Sequence, residues 1–138
     1  MKKDIPVNKV EDLAIAIVPP TDGSLADPNE LWEVYIINLH EEKLRSVIVA
    51  SRGYGELDGV QRETSTLRFF WEEIDPLEVK LIEPIQASLF QLANEYWVSF
   101  SLNDYLFDKK YVFVQGAVDE MNFTEIPFLD GRKGVMIR

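Results

Sequence analysis

The sequence predicts an all-β fold: two antiparallel sheets packed face to face as an immunoglobulin-like β-sandwich of about eight strands, with a closed β-barrel as the alternative. Three observations predict it. Turn residues punctuate the chain about every 8–15 positions, the segments between them are rich in Val, Ile, Thr, Tyr, Phe and Trp, and no apolar pattern of helical period is sustained. The 138 residues suit one domain spanning 1–138, and an apolar share of 46% suffices for its core.

Residues 13–18 form an all-apolar run closed by Pro19-Pro20, and the polar stretch 21–30 that follows contains Asp22-Gly23 and Asp27-Pro28. This reads as a strand and a long loop. Residues 31–39 carry the strongest strand signal, with Trp32, Val34 and Ile36 on one face and Tyr35, Ile37 and Leu39 on the other. Apolar character on both faces places the strand inside its sheet. The polar residues 40–43 read as a hairpin connection into a strand over 44–51, which stops at Gly53-Tyr54-Gly55.

Asp58-Gly59 is a turn dipeptide, after which residues 64–71 resume strand alternation with Ser65, Leu67, Phe69 and Trp71 toward the core. Residues 77–82 alternate again, and Pro84 closes them. Ile85, Leu89 and Leu92 have the spacing of a helical turn, but Pro84 and Asn94 confine it, so 84–94 is an irregular or briefly helical crossover between sheets. Residues 95–102 set Tyr96, Val98, Phe100 and Leu102 against Trp97 and two serines, and Asn103-Asp104 turns the chain back through 106–114. Residues 123–137, broken at Asp130-Gly131, form a last edge hairpin or an extended tail along a sheet.

Charge excludes several partners. With 14 Lys and Arg against 24 Asp and Glu the net charge is −10, and no basic cluster exceeds a pair, so nucleic acid and anionic membrane are not expected partners. The absence of Cys removes disulfides, thiolate nucleophiles and Cys-ligated metals, and a lone His40 cannot build a His-based metal site. Neither a metal nor another cofactor is expected. Met1-Lys2-Lys3 runs into Asp4, Pro6 and Asn8 rather than an apolar stretch, which argues against a signal peptide and for a soluble, cytoplasmic protein.

Candidate chemistry is sparse. Glu56 with Asp58, and Glu72 with Glu73 and Asp75, fall at expected turns, where solvation explains them better than paired acid–base work. Asp22, Asp27, Glu56 and Asp58 lack the spacing of a calcium loop. Gly53-Tyr54-Gly55 lacks the helix and Lys of a phosphate cradle and reads as a bulge or turn that folds Tyr54 onto the sheet. No Gly-x-Ser-x-Gly stands beside His40 to suggest a nucleophile triad.

The aromatics say more. Phe69, Phe70 and Trp71 are consecutive, as are Tyr96 and Trp97, so alternation must turn one member of each group outward: Phe70 and Trp97. The expected function is that of a non-enzymatic interaction module that associates with itself or a protein partner through an exposed aromatic sheet face carrying those two residues, or through an edge strand. The alternative is a small-ligand or enzymatic site at one end of the sandwich, built from Tyr54, Glu56 and Asp58 with Arg68, whose guanidinium is expected to meet Glu56.

Residues 32–39, the turn Gly53-Tyr54-Gly55-Glu56, residues 64–68 and residues 94–100 are similar to a small family of uncharacterised bacterial proteins of about this length, over nearly the whole chain. Some members carry the label phenylalanyl-tRNA synthetase subunit, which implies a link to translation. The chain has neither the length nor the ATP-contacting Arg motifs of a synthetase core, and the family supplies no catalytic residues to carry over.

Overall fold

The computed structural model describes residues 10–20 and 27–138. The expectations for the first nine residues, for most of the loop at 21–30 and for Asp22 lie outside them. Among the described residues ten strands run antiparallel: β1 (Leu13–Val18), β2 (Leu31–Asn38), β3 (Leu44–Leu57), β4 (Val60–Glu63), β5 (Leu67–Ile74), β6 (Val79–Gln86), β7 (Ala93–Leu102), β8 (Tyr105–Phe113), β9 (Thr124–Glu125) and β10 (Lys133–Ile137). They make two sheets that do not close into a barrel. The first has the order β6-β2-β1-β10-β9; in the second β3 pairs with β7, β7 with β8, and β4 and β5 share the other edge of β3.

All six residues of β1 are fully buried, as its uninterrupted apolar run requires of a strand with β2 and β10 on its flanks and cover on both faces. The main core lies between the sheets, where Ile15, Ile17, Val34 and Ile36 meet Val47, Val49, Val98 and Phe100. Trp32 packs at its end with Phe90 and Phe123 edge-on to its ring, at centroid distances of 4.9 and 6.0 Å. Two register partners, Tyr96 on β7 and Tyr111 on β8, both point into this core. Their hydroxyls tie the sheets together: Tyr111 donates to the Leu13 carbonyl at 2.7 Å and Tyr96 to Glu83 at 2.9 Å. Burial pushes both phenol groups above their ordinary range, so both remain donors.

A second, smaller core lies on the outer face of the first sheet. Ala14, Ala16, Val18 and Ile37 pack there under Ile126, with Leu129 beside it. The strap over 126–132 is pinned by Arg132, which donates to the Pro19 carbonyl at 2.9 Å and to Glu33 at 2.8 Å. Tyr35, Ile37 and Leu39 therefore sit on a covered face, as the two-sided pattern of β2 predicts.

Several boundaries differ from the sequence reading. Residues 40–43 are not a hairpin connection, because β2 and β3 belong to different sheets. The buried Asn38 shapes that corner, its side-chain amide donating to the carbonyls of Glu42, Ile74 and Asp75 and its carbonyl accepting the His40 N–H. β3 does not stop at Gly53-Tyr54-Gly55 but runs on to Leu57, exchanging β5 for β4 as its neighbour. Asp58 and Gly59 both have positive φ, 53° and 77°, the geometry of a two-residue hairpin whose twist matches its strands. Nor does Pro84 close β6. It pairs with Glu33 inside an edge strand, where a missing N–H costs no ladder bond.

The segment after β6 is a 3₁₀ helix, Ala87–Gln91, crossing from the first sheet to the second. β7 and β8 form the expected hairpin around Asn103-Asp104, both at positive φ. The chain's end forms β9 and β10, with β10 hydrogen-bonded to β1. No helix of the described residues is long and apolar enough to cross a membrane.

Candidate functional site

The two sheets treat their outer faces differently. The strap over 126–132 covers the centre of the first, while no described segment crosses the second. Strand registers fix what that bare face presents. One row across it reads Phe70, Ile48, Ser99 and Asp108 on β5, β3, β7 and β8, and the next row reads Arg68, Ala50, Trp97 and Lys110. Phe70, Ile48 and Trp97 are 60%, 43% and 45% exposed. Ile48 and Trp97 are diagonal neighbours, within reach of one another on a pleated surface, so the three form one apolar stripe across three strands. The two aromatics singled out from the sequence thus stand outward on the same face.

Charge frames the stripe. Lys110 holds its ammonium 4.8 Å from the centre of the Trp97 ring, a cation–π contact that orients the indole. In the third row Arg52 lies opposite Glu95, which is only 5% exposed although it belongs to an outward-facing position. Arg52 Nε donates to Glu95 at 3.3 Å, the Tyr54 hydroxyl donates at 3.4 Å, and Lys110 Nζ approaches to 3.9 Å. Arg52 also bonds Glu63 at 3.1 Å and covers the Tyr54 ring at 4.7 Å. The hydrogen bond and charge of Glu95 raise the Arg52 pKa, holding the guanidinium charged.

The chain is not recognised by comparison. No protein-family model, curated protein or solved structure matches it.

Of the residues proposed for a ligand site, Tyr54, Glu56 and Asp58 follow one another at the β3–β4 end, and Arg68 stands apart from them. Tyr54 belongs to the Arg52–Glu95 cluster, Glu56 accepts from Gln61 across the β3–β4 hairpin at 3.4 Å, and Asp58 sits exposed in its turn. Arg68 stands opposite Ala50, six positions along β3 from Glu56, or roughly 20 Å at the rise of a strand. The expected Arg68–Glu56 pair does not form; Arg68 flanks the apolar stripe instead. Glu72, Glu73 and Asp75 also part company, Glu73 pairing with Lys43 and Arg45. Those cations, with the Lys43 hydrogen bond foremost, hold its carboxyl below the ordinary range. Among the described residues no group of three or more acidic or His side chains could hold a metal ion.

Glu95 is the residue of this outer face that sequence reading missed. A lone Glu at a strand start carries no signal of burial, and its three partners come from positions 52, 54 and 110, which only the register brings together.

Proposed function

We propose that the protein is a non-enzymatic interaction module that self-associates through the outer face of its second sheet. The observation that carries this reading is the contrast between the faces: the first sheet covers its central outer apolar residues with its own strap and leaves Leu31 and Leu81 half-exposed toward its edge, while the second leaves Phe70, Ile48 and Trp97 in solvent as one stripe across three strands. A contiguous apolar patch with aromatic members and a polar rim is what a docking surface needs.

Self-complementarity favours a second copy of the chain as the partner. A two-fold axis lying in the interface and running across the strands between the two rows exchanges one row for the other. It sets Asp108 against the partner's Lys110, Phe70 against the partner's Arg68 and Ile48 against the partner's Ala50. A four-stranded face measures only about 19 Å across at ~4.8 Å per strand, so the interface is small and its affinity is of micromolar order. On this reading the module is an immunoglobulin-like sandwich working in the cytoplasm, where a Cys-free composition is at home.

Sedimentation equilibrium from about 10 to 500 μM spans the expected dissociation constant. The mass of the wild type rises toward twice 15.9 kDa, while Trp97→Glu and Phe70→Glu remain monomeric with an unchanged circular dichroism spectrum. A wild type that stays at 15.9 kDa throughout the range removes the proposal.

A further inference from the structure

Away from the outer face, a cleft of about 310 Å³ opens at the side of the sandwich between the edge strand β6 and the place where β3 exchanges β5 for β4. Its origin is local. Gly53 N–H donates to the Thr64 hydroxyl at 2.7 Å and Thr64 N–H to the Gly53 carbonyl at 2.9 Å, which holds the chain as it leaves β4. The following Ser65 and Thr66 belong to neither strand, and β5 begins only at Leu67. The gap in the sheet's edge lies over Ser51 and Gly53, and β6 borders it from the other sheet.

Glu83 lines this cleft. Its Oε2 accepts the Tyr96 hydroxyl, and the side chain of Ser51, also on the cleft wall, adds a hydrogen bond to the carboxyl. No Lys, Arg or His nitrogen of the described residues lies within 4.0 Å of it, in contrast with Glu33, Glu63, Glu73, Glu78 and Glu95, each of which has a cation. Arg52, the basic residue on the cleft wall, has its guanidinium committed to Glu95 and Glu63. Leu31, Leu67, Ile85 and Leu89 supply apolar wall. Removal from water pushes the Glu83 carboxyl above its ordinary range, partly offset by the Tyr96 and Ser51 hydrogen bonds.

A half-buried carboxylate without a counter-cation, in a mostly apolar cleft of small-molecule size, is a site that lacks only the complementary charge. We propose that the cleft binds a small apolar primary amine, its ammonium donating to the Glu83 carboxylate and its hydrocarbon body lying against Leu31, Leu67, Ile85 and Leu89. The Tyr96 and Ser51 side chains fix the carboxylate with neutral hydrogen bonds and leave its charge for the ligand to meet. The ammonium is selected by charge, and the apolar wall separates a phenylalkyl or branched alkyl amine from a hydrophilic polyamine. This site is independent of the association surface, since none of its residues belongs to the stripe.

Calorimetric titration of the full chain with 2-phenylethylammonium tests it, with 2-phenylethanol and phenylacetate as isosteric controls. The amine is expected to saturate one site and to bind at least about tenfold more tightly than the alcohol, the increment of one charge-assisted hydrogen bond; phenylacetate is expected not to bind. Glu83→Gln should lose that tenfold and treat amine and alcohol alike. Leu67→Lys, a change at a half-exposed position that brings a tethered ammonium to the cleft mouth, should abolish amine binding while the fold persists. Equal binding of amine and alcohol by the wild type, no saturable amine binding, or undiminished affinity in a folded Glu83→Gln or Leu67→Lys variant would each overturn the proposal.

Discussion

At the scale of single residues, polar groups inside the sandwich do more to define its shape than their number suggests. Asn38 is fully buried and satisfies three carbonyls and one N–H at the corner where the chain changes sheets. Asn38→Asp would set a carboxylate against those three carbonyls, so we expect a loss of roughly 3 kcal/mol at neutral pH in urea denaturation. The loss should shrink in acid, where the protonated side chain again has one donor. Glu83 behaves in the opposite sense. Because its pKa is raised by burial, the fold favours its protonated form, and that stabilisation is present below the unfolded carboxyl pKa and lost as pH rises through the folded one. Glu83→Gln, which can still accept from Tyr96, should therefore raise the urea midpoint at pH 7 and differ little from wild type near about pH 3.5. Equal gains at both pH values would show that desolvation of the carboxylate is not the cause.

At the scale of elements, the hairpin around Asn103-Asp104 and the outward turn of Phe70 and Trp97 were legible from the sequence, because both follow from local turn chemistry and strict period-two alternation. The β2–β3 corner was not, because a polar turn between two strands looks the same whether they pair or separate. The length of β3 was hidden because its two neighbours on one edge are distant from each other in purpose as well as place: β4 folds back locally and β5 returns to the first half of the strand. Pro84 suggested an end because edge status, which makes Pro tolerable inside β6, is set by the other strands of the sheet. The β1–β10 ladder joins the two ends of the described fold and offers a sharp test of element packing. A Cβ on Gly134 would press into the backbone of Ile17 and stand 3.0 Å from the Val18 Cα, so nothing flexible can yield. Gly134→Ala should cost about 3 kcal/mol and raise hydrogen exchange in β1 and β10 before the β7–β8 hairpin. Uniform exchange, with stability unchanged, would mean that the ladder relaxes around the methyl group.

At the scale of the whole molecule, one chain builds two sheets and straps the outer face of only one of them. The strap over 126–132 gives the first sheet a second core, and the acidic composition expected to keep a strand-rich protein soluble is distributed so that the second sheet still presents an apolar stripe between basic and acidic neighbours. The aromatic runs foretold that stripe, whereas Glu95 beneath its rim, the Glu83 cleft and the separation of Arg68 from Glu56 depend on registers and sheet assignments that single-strand patterns do not contain. The association model makes a stricter demand than a loss of dimer on removing an aromatic, because its two-fold axis pairs Asp108 with the partner's Lys110. The direct measurement is sedimentation equilibrium of Asp108→Lys, Lys110→Asp and the double exchange. Each single change should weaken association about tenfold or more by setting like charges together, and the double exchange should recover most of the wild-type affinity. Association that is indifferent to both single changes, or a double exchange no tighter than its parents, would contradict the account.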